Sequence, residues 1–225
     1  MNCCIFFVRH GETTWNVSLK LQGHSDVALS DRGREQAELL SLRLASEKFD
    51  SLYCSDLARA SETAEIVARP HGLEVKRKPA FREINFGAWE GLTFEEVNKD
   101  YDSVLKQWWS RPMSTRIPGG EMLAEVVERV RSATQKIVET HKDQTVLVVA
   151  HGGVIRSIIG HVLRMDLNEY WRLYLDNTSV SILEFPRWER GTLRLFNDCS
   201  HLNNLDNLRP KHKSTFSNMA DKMMS

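Results

Sequence analysis

Ile5-Phe6-Phe7-Val8-Arg9-His10-Gly11 decides the fold, because a short apolar run stops abruptly at a cation, an imidazole and a glycine. Such a run suits a strand covered on both faces, and in open parallel sheets ligands gather beyond the carboxyl ends of the strands. Arg9 and His10 are therefore expected at the ligand edge of a sheet. The layout returns far downstream, where Thr145-Val146-Leu147-Val148-Val149-Ala150 closes on His151-Gly152-Gly153. Two histidines distant in sequence are then expected to meet at one sheet edge.

Outward from these runs, strand and helix patterns alternate. Ser30 is expected to cap a helix whose Ala37, Leu40 and Leu44 share a face, and Phe49 to Tyr53 reads as a second strand. Asp56 is the expected cap of a helix with Ala60, Ala64 and Val67 buried and Arg59 in its first turn; Pro70 and Gly72 end it. A cation there opposes the helix dipole unless an anion also binds. Leu73 to Val75 is a short third strand. Thr93-Phe94-Glu95-Glu96 is a capping box opening a helix that Trp108-Trp109 should anchor, and Arg111 to Gly120 is a long loop expected to serve as a lid. A helix over residues 121–141 feeds the strand ending at His151, and the apolar helix opened by Gly152 and Gly153 should be well buried. Thr178 to Phe185 and Thr192 to Asn197 read as an antiparallel hairpin at one edge of the sheet.

The 225 residues suit one α/β domain over 1–202 followed by a tail over 203–225, for which flexibility and a short docking helix both fit. Thirty basic and thirty acidic side chains cancel, so no general field for nucleic acid or an acidic membrane exists and any anion site must be local. Cys3, Cys4, Cys54 and Cys199 have no metal-ligand spacing and read as reduced residues of a cytoplasmic protein. Arg9 interrupts the apolar start too early for a signal-peptide core or a membrane span. A second copy of the chain in a homodimer is a candidate partner.

Arg9-His10-Gly11, His151-Gly152-Gly153 and Ser55-x-x-x-Arg59-Ala60-x-x-Thr63 together resemble the histidine phosphatase superfamily over about residues 3 to 202. The resemblance implies a phosphoglycerate mutase-like three-layer α/β/α sandwich with a mostly parallel sheet and an antiparallel edge strand. It assigns Arg9, His10, Asn16, Arg59 and His151 to one phosphate pocket. His10, neutral and held through one nitrogen by a backbone group, would attack phosphorus. Arg9 and Arg59 would clamp the phosphate through planar forks, with protonated His151 as a third donor. Glu83 matches the family's acid, and a carboxyl in that role needs its pKa raised, for which Phe81, Phe86 and Trp89 are nearby. Gln22 and Gly23, in a polar loop of the kind that carries sites, are expected with Gly152 to line the substrate site. No metal-binding motif is visible, so metal-free catalysis without a cofactor is expected.

His24, His71, His141, His161 and His212 are expected to be surface or core residues; a segment like that around His201 ends many phosphatase members of the family, which leaves an approach of His201 to substrate open. Three functions stay open: a phosphomonoester phosphatase, a cofactor-dependent phosphoglycerate mutase, and an inactive phosphate-binding protein. Mutases of the family carry Glu-Arg-His-Tyr-Gly where this chain has Glu83-Ile84-Asn85-Phe86-Gly87, so the groups that hold a second acidic moiety are missing. The segments Phe86-Gly87-x-Trp89-Glu90-Gly91 and Pro118-Gly119-Gly120-Glu121 are similar to those of alpha-ribazole, broad-specificity and phosphoserine phosphatases. An inactive binding protein is expected to have lost a pocket residue, and none is lost.

Overall fold

A computed structural model describes residues 2–202, so the expectations for the 203–225 tail lie outside the described residues. β1 (Cys3–Arg9) and β4 (Thr145–Ala150) lie side by side and parallel, with Arg9 opposite Ala150, so both apolar runs end at one edge. β2 (Ser51–Cys54) pairs in parallel with β4, and β3 (Val75–Arg77) with β2. On the other side of β1 come β5 (Val180–Phe185), which runs antiparallel to it, and β6 (Thr192–Asp198), giving the order β3-β2-β4-β1-β5-β6.

Successive side chains of a strand point to opposite faces, and β1 feeds two cores accordingly. Ile5 and Phe7 pack with Val146, Val148 and the residues of α4 (Phe94–Ser110), α5 (Leu123–Thr140) and α6 (Gly152–Val162). Phe6 and Val8 pack with Leu147, Val149 and residues of α2 (Asp31–Leu44) and α3 (Ala58–Ala68). Helices thus cover both faces of the sheet, which is the expected three-layer arrangement. A short helix, α1 (Thr14–Val17), follows the His10 loop. The capping box at Thr93 and the cap at Ser30 form as expected, and Trp108 and Trp109 are buried anchors of α4.

Three local readings are corrected. Asp56 does not cap α3: its carboxylate takes the fork of Arg82 at 2.8 and 2.6 Å, and the amide of Ala58 donates instead to Asp26, 32 residues earlier. β2 and β3 each start two residues later than the apolar pattern suggests, because Phe49 is spent on an edge-to-face contact with Phe6 and Gly72 turns the chain at φ +62°. The 111–120 loop is not a lid, since none of its residues lines the cleft described below. It tucks under Gly87, where the amide of Ala88 donates to the Pro118 carbonyl at 2.8 Å. A Cβ on Gly87 would stand 2.3 Å from that oxygen, so the close approach requires glycine.

The four cysteines are free, with Cys3 and Cys54 buried. Among the described residues no helix is long and apolar enough to cross a membrane.

Candidate active site

The carboxyl ends of β1 and β4 open into a cleft of about 540 Å³. Arg9, His10, Asn16, Gln22, Gly23, Arg59, Glu83 and Gly152 all line it, and the His151 ring lies 5.1 Å from that of His10, centroid to centroid, tilted by 59°. The structure therefore brings together every residue that the sequence pointed to.

His10 is held by its own turn. Its Nδ1 donates to the Gly11 carbonyl at 2.7 Å, which leaves Nε2 with the lone pair. Gly11 is fixed in turn by Thr63, whose Oγ1 accepts the Gly11 amide at 3.1 Å and donates to the Arg59 carbonyl at 2.7 Å. The spacing Arg59-x-x-x-Thr63 thus ties α3 to the His10 loop. Burial drives the His10 pKa well below the usual imidazole value, with Arg59 and Arg9 adding to it and the Gly11 bond opposing. The ring is neutral, as an attacking nitrogen must be.

His151 departs from the sequence reading. It is fully buried, and burial together with Arg59, His10, Arg129 and Arg9 pushes its pKa well below the usual value, so it rests neutral and not as the protonated donor expected. A phosphate dianion between the two rings would reverse part of that balance, because opposite charge favours the protonated form. Neither ring nitrogen of His151 has a hydrogen-bond partner in the protein, and the buried Nε atoms of Arg9 and Arg59 are in the same condition. Buried polar atoms are normally paired, so the three unpaired N–H donors here, one on neutral His151 and one on each guanidinium, suit an anion with several acceptor oxygens.

The two guanidinium groups are anchored by main-chain oxygens. Arg59 donates through Nη1 to Ser25 at 2.9 Å and through Nη2 to Gly23 at 2.7 Å; Arg9 donates through Nη1 to Leu175 at 2.6 Å. Their forks are therefore shared between carbonyls and the cleft, a feature that the expected phosphate clamp did not include. Burial lowers both pKa values, that of Arg59 to about 10, so Arg59 stays cationic near neutral pH.

Asn16 keeps its amide oxygen occupied by the Thr13 amide at 3.0 Å and Asn177 Nδ2 at 3.3 Å, which leaves its own NH₂ as a donor. Gln22 accepts from the Thr13 hydroxyl at 3.0 Å. Glu83 is half-buried, and its carboxylate accepts the amides of Ile84 at 2.9 Å and Gly153 at 3.2 Å. Its carbonyl takes His24 Nε2 at 2.9 Å, so His24 is a prop for the Glu83 main chain. His201 does not line the cleft: it contacts Thr178 and Arg43 instead, and burial beside Arg43 takes its pKa to about 4.

One wall was missed by sequence reasoning. Tyr170, Tyr174, Leu175, Asp176 and Asn177 line the cleft from the segment before β5, and Arg156 lines it from α6. Asn177 Nδ2 donates to the His10 carbonyl at 3.0 Å, and Arg156 Nε to the Leu173 carbonyl at 2.7 Å. The available signal was Arg156 itself, a charge in an otherwise apolar buried helix.

The family profile described as "Histidine phosphatase superfamily (branch 1)" matches residues 5–198. A curated relative, phosphoglycerate mutase-like protein 4 of Arabidopsis thaliana, is 40% identical over 201 residues, 88% of this chain and 86% of the relative. Phosphoserine phosphatase 1 of Hydrogenobacter thermophilus is 35% identical over 195 residues, 87% of this chain and 92% of that protein. Among solved structures, a putative alpha-ribazole-5'-P phosphatase from Escherichia coli superposes with a TM-score of 0.80 at 28% identity, covering 88% of this chain and 97% of that one.

Proposed function

The chain belongs to branch 1 of the histidine phosphatase superfamily, and from that premise we propose that it is a metal-independent phosphatase that hydrolyses a small-molecule phosphomonoester through a phosphohistidine on His10. The observation that carries this reading is the 2.7 Å contact of His10 Nδ1 with the Gly11 carbonyl, an acceptor, which assigns the ring proton to Nδ1 and leaves Nε2 its lone pair beside His151, Arg9 and Arg59.

Phosphoryl transfer asks little covalent chemistry of a protein and much positioning. Nε2 attacks phosphorus as the P–O bond to the alcohol breaks, and charge on the equatorial oxygens is met by Arg9, Arg59, the Asn16 NH₂ and His151. Glu83 gives its proton to the departing alkoxide. In the second half Glu83 takes a proton from water, whose oxygen attacks phosphorus as the Nε2–P bond breaks, and phosphate leaves.

Hydrolysis is favoured over isomerisation by what stands at 84 and 86. Ile84 is buried and apolar, and Phe86 is buried and carries no hydroxyl, so neither offers a group to hold a second acidic moiety. The relative named a phosphoserine phosphatase supports a small phosphorylated metabolite as substrate. The binding-protein reading has no observation in its favour.

The test is hydrolysis of an aryl phosphate in EDTA by the intact chain and by His10→Ala. Activity that survives EDTA and is abolished by the substitution, without loss of fold, is expected; a strict magnesium requirement would falsify the proposal. Rapid interconversion of 3-phosphoglycerate with a bisphosphoglycerate primer would favour the mutase instead.

A further inference from the structure

Glu83 sits in an irregular stretch between Phe81 and Gly87, so groups outside that stretch must fix where its carboxylate points. Arg129, in the second turn of α5, supplies most of them. Its Nη1 donates to the carbonyls of Ala80 at 2.8 Å and Arg82 at 2.7 Å, and its Nη2 to that of Glu83 at 2.9 Å. Glu121 answers the charge with two bonds of 3.0 Å, from Nε to Oε1 and from Nη2 to Oε2. The same Oε2 accepts the amide of Asn85 at 2.8 Å. Main-chain groups on both sides of Glu83 are therefore gripped by one ion pair whose side chains are about four-fifths covered, 21% and 20% exposed. Neither Arg129 nor Glu121 lines the cleft.

We propose that the Arg129–Glu121 pair is a positioning unit for the proton donor, so that leaving-group protonation depends on two residues that touch no substrate. The inference rests on the reading of Glu83 as the acid. Its physical basis is that the grip fixes the backbone of residues 80–85 and with it the direction in which the Glu83 side chain leaves the chain; His24 adds a single bond to the same carbonyl. A guanidinium is required because only its planar fork reaches three carbonyls and a carboxylate at once.

A proton donor matters most for a poor leaving group. An alkyl phosphate and 4-nitrophenyl phosphate therefore separate its loss from general damage, and kcat/KM reports only the steps up to phosphoryl transfer to His10. Arg129→Met, Arg129→Lys, Glu121→Gln and Glu83→Gln are compared on both esters, with vanadate inhibition as the measure of the phosphate pocket and a thermal melt as the measure of fold. Glu83→Gln is expected to lower kcat/KM for the alkyl ester by about 10²- to 10⁴-fold, and the aryl ester far less. Arg129→Met is expected to copy that selectivity at roughly 10- to 100-fold for the alkyl ester, with the aryl ester nearly unchanged, vanadate binding not weakened because loss of the Arg129 charge favours a protonated His151, and Arg129→Lys recovering part. Should Arg129→Met not fold, Glu121→Gln carries the same expectation.

Equal losses on both esters, or none, in the Arg129 and Glu121 variants while Glu83→Gln stays selective would overturn the positioning role alone. A Glu83→Gln variant without selectivity would overturn the acid reading and this inference with it.

Discussion

Gly153→Ala tests the placement of Glu83 from the opposite side of the cleft. A Cβ built at Gly153 stands 2.4 Å from Glu83 Oε1 and 2.9 Å from Ile84 Cδ1, where ordinary contact begins at 3.4 Å. The carboxylate must therefore retreat by about 1 Å, and a shift of that size costs roughly 10²-fold when the group acts on the reacting atoms. The retreat also strains the 3.2 Å bond from the Gly153 amide that orients Oε2. Stability responds differently. Alanine in place of a helical glycine gains up to about 1 kcal/mol, and crowding Ile84 costs on the order of 1–3 kcal/mol, so the melting temperature moves by only a few degrees. The assay is kcat/KM on an alkyl phosphate, with vanadate inhibition as the control, since Arg9, Arg59 and His151 are untouched. A drop near 100-fold with vanadate affinity retained is expected. Wild-type activity of Gly153→Ala on the alkyl ester would refute the claim that a carboxylate at this point protonates the leaving group.

Arg59→Lys is expected to weaken vanadate binding by about 10- to 100-fold, because an ammonium cannot hold the Gly23 and Ser25 carbonyls and also fork onto phosphate; inhibition constants read it directly. Asn177→Ala is expected to lower kcat/KM by about five- to tenfold through loss of its bonds to the His10 carbonyl and Asn16, and to add little in an Asn16→Ala background; full additivity in that cycle would speak against a shared role. The pH dependence of stability follows from the two buried imidazoles, whose folded pKa values lie below the unfolded value of about 6.5. Below that pH the unfolded chain binds more protons, so stability is fully present above about pH 6.5 and falls as pH is lowered. Melting temperatures of His10→Asn/His151→Asn should fall less steeply with acid than those of the parent, and identical slopes would contradict the assignment of neutral rings.

Strand ends and helix faces were legible in the sequence because they follow from short-range patterns. The runs closing on His10 and His151 announce their sheet edge, and the capping box at Thr93 announces α4. What was not legible depends on partners far along the chain. Asp56 has the chemistry of a cap, but Arg82 competes for it across 26 residues and Asp26 takes over the cap from the opposite loop. The charge state of His151 is set by burial and by Arg59, Arg9 and Arg129 converging from three elements, which no local spacing encodes. The Tyr170–Asn177 wall lies in a stretch without strong periodicity, and only the fold of the chain back onto β1 brings Asn177 to the His10 carbonyl. The 111–120 loop has a lid's length, yet its packing under Gly87 takes it out of the cleft.

The central claim is that His10 Nε2 becomes covalently phosphorylated during turnover. Rapid quenching of the intact enzyme with substrate into alkaline denaturant, followed by peptide mass spectrometry, measures that bond. One phosphoryl group on the peptide carrying His10, formed at a rate competent for turnover and absent in His10→Ala, is predicted. Turnover with no phosphoenzyme, or with phosphate on any other residue, would contradict it.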